Sequence, residues 1–205
     1  MIYNTMKIWL ILALICLFAP VDGISQDKIK QPKVGIGFEL GQWVPSSLNS
    51  ESELASLKEV KNKPYLGIML LKPLKYDFSF RCNAGIWKYY EEEPTANNKC
   101  IRIVSFLFDL KYTLLADVLI QPYVSYGAGL FLGFNGEKTN PLLNFKGESE
   151  MGIGFNVGTG FDFQVTKKIT LELEFQYHYV KFNNVVVFTD NYSGPKVSVA
   201  GLCFF

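Results

Sequence analysis

Residues 169–180, ITLELEFQYHYV, alternate without a break: Ile169, Leu171, Leu173, Phe175, Tyr177 and Tyr179 fall on one parity, and Thr170, Glu172, Glu174, Gln176 and His178 on the other. A two-residue period sets these groups on opposite faces of a β-strand. The stretch 151–165 repeats it, with Ile153, Phe155, Val157, Phe161 and Phe163 against Gly152, Gly154, Asn156, Gly158, Gly160, Asp162 and Gln164. The same period along the chain predicts eight strands, at 34–43, 65–72, 75–89, 101–114, 121–134, 151–165, 169–180 and 196–205. The second is apolar on both parities.

Alternation alone does not say which face meets the core, because a soluble sheet buries its apolar face and a membrane barrel turns it outward. The connections decide. Those at 43–63, 91–99, 135–150 and 181–194 are long, while those at 72–75, 115–117 and 166–168 are tight. In an up-and-down meander every second connection lies at the same end, so one end carries the long loops and the other the short turns, as in an outer-membrane barrel. Strands of about ten to fourteen residues, rising about 3.3 Å each and tilted about 40°, cover roughly 25 Å or more along the barrel axis, the height of the apolar band. The glycines agree: Gly152, Gly154, Gly158 and Gly160, and Gly127, Gly129 and Gly133 with Ser125, share the polar parity. An eight-stranded barrel has an interior just wide enough for side chains to fill, so small residues belong inside. The predicted fold is an all-β, eight-stranded antiparallel up-and-down transmembrane barrel with long external loops and short periplasmic turns. The parity assigns an interior polar network of Glu39, Asp77, Arg81, Asp109, Lys111, Asp162, Glu172, Glu174, His178 and Lys196.

The first residues add an address. Residues 1–25 hold Lys7, an apolar run from Ile8, Pro20 and small residues at Gly23 and Ser25, the form of a secretory signal peptide with cleavage after Gly23 or Ser25. Ile15 before Cys16 is not the small residue a lipoprotein signal needs, so no lipid anchor is expected. Residues 26–205 then form one domain. A net charge of +1 lacks the basic excess of a nucleic-acid binder. Cys82, Cys100 and Cys203 are an odd set, two of them on apolar faces, and read as small hydrophobes rather than a disulfide framework.

The stretches QPYVSYGAGLFLGF at 121–134, GIGFNVGTGFDFQV at 152–165, LELEFQYHYV at 171–180 and the terminal GLCFF resemble the small eight-stranded outer-membrane barrels, the OmpA, OmpX and OmpW-like group and the outer membrane protein beta-barrel domain families. The resemblance covers essentially all of residues 26–205. It implies the outer membrane of a Gram-negative bacterium, and a terminal strand read by the outer-membrane assembly machinery through Val197, Val199, Cys203 and Phe205. Gly201 interrupts that apolar set. Trp87, Tyr89 and Tyr90, Tyr177 and Tyr179, and Tyr112 and Tyr123 are expected in the aromatic girdles at the two interfaces.

Candidate chemistry is sparse. Some barrels of this kind are lipid A deacylases whose strand carries a His with a Ser two residues on, a hydrolytic pair. Here that position after His178 is Val180, so no catalytic residue is assigned. A lone histidine without accompanying ligands predicts no metal, and no cofactor is expected. In loop one, Ser50 with Glu53 forms a capping box, and Leu54 and Leu57 give an apolar edge, which predicts a short external helix. Lys88 and Arg102 near the external rim would meet lipopolysaccharide phosphates. The predicted function is a non-enzymatic structural or surface-interaction barrel with a minor pore or small-solute passage, and with outer-membrane lipid, lipopolysaccharide, the assembly machinery and an unidentified external partner as its contacts. Two alternatives stand beside it. One is a soluble exported lipocalin-like carrier, suggested by Gly41-Gln42-Trp43, with inverted parity. The other is a lipid A acyl hydrolase.

Overall fold

The computed structural model of the protein describes residues 34–48, 64–90, 99–115, 118–137, 149–166 and 168–205. The expected signal segment and the predicted loop-one helix lie outside them. The strands are β1 (Gly35–Trp43), β2 (Pro64–Pro73), β3 (Phe78–Tyr90), β4 (Lys99–Thr113), β5 (Ile120–Glu137), β6 (Ser149–Gln164), β7 (Ile169–Val186), a short β8 (Thr189–Asn191) and β9 (Gly194–Phe204). A single turn of 3-10 helix, Ser46–Leu48, follows β1.

Every pairing is antiparallel. From β1 to β7 each strand pairs with the next along the chain, and β9 closes the ring by lying between β7 and β1. The eight long strands among the described residues thus form a closed up-and-down barrel. Closure leaves the long strands no free edge, which is what a β-structure in lipid requires. No helix among the described residues is long and apolar enough to cross a membrane.

Two departures from the sequence reading change where residues lie. The first tight turn is centred on Tyr76 and Asp77, both at positive φ (58° and 61°), not on residues 72–75. Positive φ at both central residues is the geometry of the type I′ hairpin turn, whose twist matches the flanking strands. Asp77, assigned to the interior, therefore sits exposed at the turn tip. The segment 181–194, read as a long loop, continues β7 to Val186 and returns through β8. Phe182 and Val186 keep their side chains buried on the interior parity, so packing extends the strand beyond the apolar-polar alternation at 169–180.

The two faces of the barrel wall are chemically opposite. Phe38 is 70% exposed, Ile153 64% and Phe155 58%, while Glu172, Glu174, Arg81 and Asp109 on the other parity are each 1% exposed. This settles the parity, with the charged set inside. Leu171 and Phe175, which a lipocalin-like arrangement would turn into the lumen, lie exposed on the outer wall.

Candidate functional site: the barrel interior

The half of the lumen nearer the termini is an ionic layer. Arg81 on β3 is its hub: Nε donates to Asp109 on β4 at 3.0 Å, Nη1 to Glu172 at 2.7 Å and Nη2 to Glu174 at 2.6 Å, both on β7. Lys111 Nζ bridges Glu172 at 2.6 Å and Asp162 on β6 at 2.8 Å, and lies 3.7 Å from the centre of the Tyr123 ring. A second cluster joins Lys196 on β9 to Glu39 on β1 at 2.5 Å, with Asn83 also donating to Glu39 and Tyr65 donating to Asn83 at 3.0 Å. Charges held away from water need such pairing, since an unpaired ion inside a protein costs several kcal/mol.

The glycines make the space for this layer. A Cβ on Gly85 would lie 2.0 Å from the Tyr65 hydroxyl, and one on Gly160 2.5 Å from that of Tyr123. The two tyrosines lie over their neighbouring strands only because those strands carry no side chain there.

Above the ionic layer the interior turns aromatic. Trp43 packs against Trp87 at 5.1 Å, Phe131 at 5.9 Å and His178 at 5.3 Å between ring centres. Trp87 Nε1 donates to the Trp43 carbonyl at 2.9 Å. Phe182 and Tyr192 meet edge to face at 5.6 Å, and Ile101, Ile103, Val180 and Val186 complete the cluster. The β7–β8 hairpin straps it: Tyr192 donates from its backbone to the Val180 carbonyl at 3.0 Å and from its hydroxyl to the Val186 carbonyl. Beyond the other side of the ionic layer, Met69, Leu71, Ala200 and Leu202 form a smaller cluster. A pocket of about 250 Å³ opens at that mouth, lined among others by Lys111, Asp162, Gln121, Thr170 and Phe204.

Of the residues assigned inward from sequence, Glu39, Arg81, Asp109, Lys111, Glu172, Glu174 and Lys196 are buried and Asp162 is half-buried, all within these two ionic clusters. His178 is buried apart from them, in the aromatic layer, with Nε2 3.0 Å from Gln176 Oε1. Asp77 is the exception described above. The aromatic layer itself was missed. Trp87, Tyr89 and Tyr123, expected in interfacial girdles, are buried inside. Their parity was available: Trp87 and Tyr89 share it with Arg81, and Tyr123 with Ser125. Tyr177 and Tyr179 do face outward, 46% and 47% exposed. Arg102, expected at the rim, is fully buried with its guanidinium 3.6 Å from the Cys100 sulfur.

Val197, Val199 and Cys203 lie on the outward parity of β9, and Phe205 just past its end is 74% exposed. Cys82, Cys100 and Cys203 are free thiols. No group of three or more His, Cys, Asp or Glu among the described residues is arranged to hold a metal ion.

This architecture is that of the small eight-stranded outer-membrane barrels. Solved structures with the same fold are Neisserial surface protein A (TM-score 0.60, 17% identity, covering 84% of this chain and 96% of that one), the N-terminal β-barrel domain of Pseudomonas aeruginosa OprF (0.54, 13%, 85% and 98%) and Ail, the attachment invasion locus protein of Yersinia pestis (0.51, 12%, 85% and 99%). No protein-family model matches the chain, and no curated protein sequence matches it.

Proposed function

We propose that the protein is a non-enzymatic barrel of a bacterial outer membrane, in which the filled interior is a scaffold and the external loops make the contacts. The observation that carries this reading is the inversion of the wall, with exposed Phe, Ile, Val and Leu outside and a paired ionic layer inside. An exposed apolar surface of that extent on a soluble protein would drive association. Lipid is the environment that it suits. Val197, Val199, Cys203 and Phe205 supply the outward terminal pattern for the assembly machinery, and outer-membrane lipid and lipopolysaccharide are the partners of the belt.

Two features favour the non-enzymatic form. The His178 ring is enclosed by Trp43 and Phe131 and paired with Gln176. The nearby Ser193 hydroxyl is held by the backbone of Val180, donating to its carbonyl at 3.4 Å and accepting from its N–H at 3.0 Å. No hydrolytic pair is formed. Solute passage is the weaker part of the reading, because both layers of the lumen are packed.

Expression with residues 1–25 in a Gram-negative host, followed by membrane fractionation and electrophoresis with and without boiling, tests the proposal. The expected result is sedimentation with the outer membrane and faster migration unboiled. Release with the periplasm and no shift on boiling would overturn it.

A further inference from the structure

The turns at the terminal end of the barrel carry large apolar side chains in the open. Tyr76 is 85% exposed, Leu119 71%, Leu115 57%, Val165 57% and Leu74 47%, and Phe205 beside them is 74% exposed. Tyr76 occupies a positive-φ turn position that favours Asn or Gly, so an aromatic is held there against backbone preference. We propose that these turns are membrane anchors, embedded at the boundary between headgroups and acyl chains of the periplasmic leaflet. The inference rests on the membrane reading above and adds how deep the barrel sits.

The argument is one of length. The lipid-facing surface is bounded externally by Lys88 on β3, by the buried Cys100 and Arg102 on β4, and by Lys181 on β7, whose side chain is 60% exposed. Below those limits the outward parity is uncharged from Ile86 to Phe78 on β3, from Val104 to Tyr112 on β4 and from Tyr179 to Ile169 on β7. On β3 and β4 that is about eight residues, roughly 20 Å at a rise of about 3.3 Å and a tilt of about 40°, against a band of roughly 25 Å. Adding Tyr76 to β3 and Leu114 to β4 brings both to about ten residues and the full height. The stretch from Tyr179 to Ile169 on β7 reaches about 25 Å unaided, so β3 and β4 match it only if their turns are part of the wall. Leu114 and Val165 continue the outward parity of β4 and β6, so the collar is continuous with the lipid-facing belt. Lys75, Asp77 and Lys168 are exposed in the same turns, which fixes the depth at the headgroup boundary rather than in the hydrocarbon core.

Tryptophan fluorescence in vesicles with brominated acyl chains reads this depth. Of the three tryptophans, Trp9 belongs to the expected signal segment and is left out of the protein tested, and Trp43 and Trp87 are enclosed in the barrel. Leu119→Trp and Tyr76→Trp would probe the turns, with Leu171→Trp on the belt as reference and the boiling shift as the check of folding. The proposal expects the added emission of both turn variants to be quenched by bromolipid at least half as strongly as that of Leu171→Trp, and shielded from aqueous acrylamide. If Leu171→Trp is quenched by bromolipid while Leu119→Trp and Tyr76→Trp respond only to acrylamide, the anchor is wrong, the membrane reading stands, and the collar is a docking surface for a periplasmic protein. If Leu171→Trp also responds only to acrylamide, the membrane reading itself fails.

Discussion

Arg81 shows how much of this fold hangs on single side chains. Its guanidinium pairs with Asp109, Glu172 and Glu174 together, so its removal takes the counter-ion from Asp109 and Glu174, which keep only the neutral donors Asn156 and Ser125, while Glu172 retains Lys111. Arg81→Ala is expected to cost about 3–5 kcal/mol, the range for breaking a buried ion pair from one side, read as a lower urea midpoint in detergent micelles. Lys196 and Glu39 allow a cleaner separation of charge from packing. Lys196→Met alone should be destabilising by a similar amount, while Lys196→Met with Glu39→Gln, which removes both charges, should recover most of the loss; failure of the second change to rescue would mean that the pair acts through shape. Glycine position matters as sharply. A methyl on Gly85 collides with Tyr65, whereas one on the outward Gly201 meets only Leu171 at 3.8 Å. Gly85→Ala is therefore expected to lose about 1–3 kcal/mol and Gly201→Ala to remain within about 0.5 kcal/mol of the parent, compared by the same urea titration.

Each strand is a two-faced element, and the two-residue period makes that legible in the sequence. The period placed eight strands, and the alternation of loop lengths arranged them as a meander. What it could not place were features set by turn geometry and tertiary packing. The first hairpin carries no Asn-Gly signal, since a tyrosine holds the first positive-φ position and Asp77, which tolerates that region less well than glycine, the second. The strand limit was drawn too early in consequence, and Asp77 was carried into the interior. A mutation follows from the mismatch: Tyr76→Asn with Asp77→Gly should stabilise the barrel in detergent by about 1 kcal/mol, because about 1–2 kcal/mol attends each L side chain held in the left-handed region. Equal or lower stability would show that the exposed tyrosine ring contributes contacts that outweigh the backbone cost. The aromatic layer escaped for another reason. Tryptophans near strand ends fit a girdle as readily as an interior, and only consistent use of parity separates them: Trp87 lies six residues from Arg81, an even step, and so must share its face.

At the scale of the whole molecule two layers of side chains lie across the interior, in series. The ionic layer spans β1, β3, β4, β6, β7 and β9 through its bridges, and the aromatic cluster above it is strapped by the β7–β8 hairpin. Two barriers in series give a definite expectation for transport, since current is limited by whichever remains. In planar bilayers the parent protein should show no stable single-channel conductance. Trp43→Ala with Trp87→Ala empties part of the outer layer but leaves Arg81, Lys111, Glu172 and Glu174 in place across the lumen, so it too should stay silent while losing about 3–5 kcal/mol of stability per ring. Stable channels in the parent would mean that the lumen opens on a timescale that its packing hides, and small-solute passage would then belong to the function. Channels only in the double variant would mean that the ionic layer is permeable and the aromatic plug is the seal, which would make the β7–β8 hairpin, as its strap, the element to alter next.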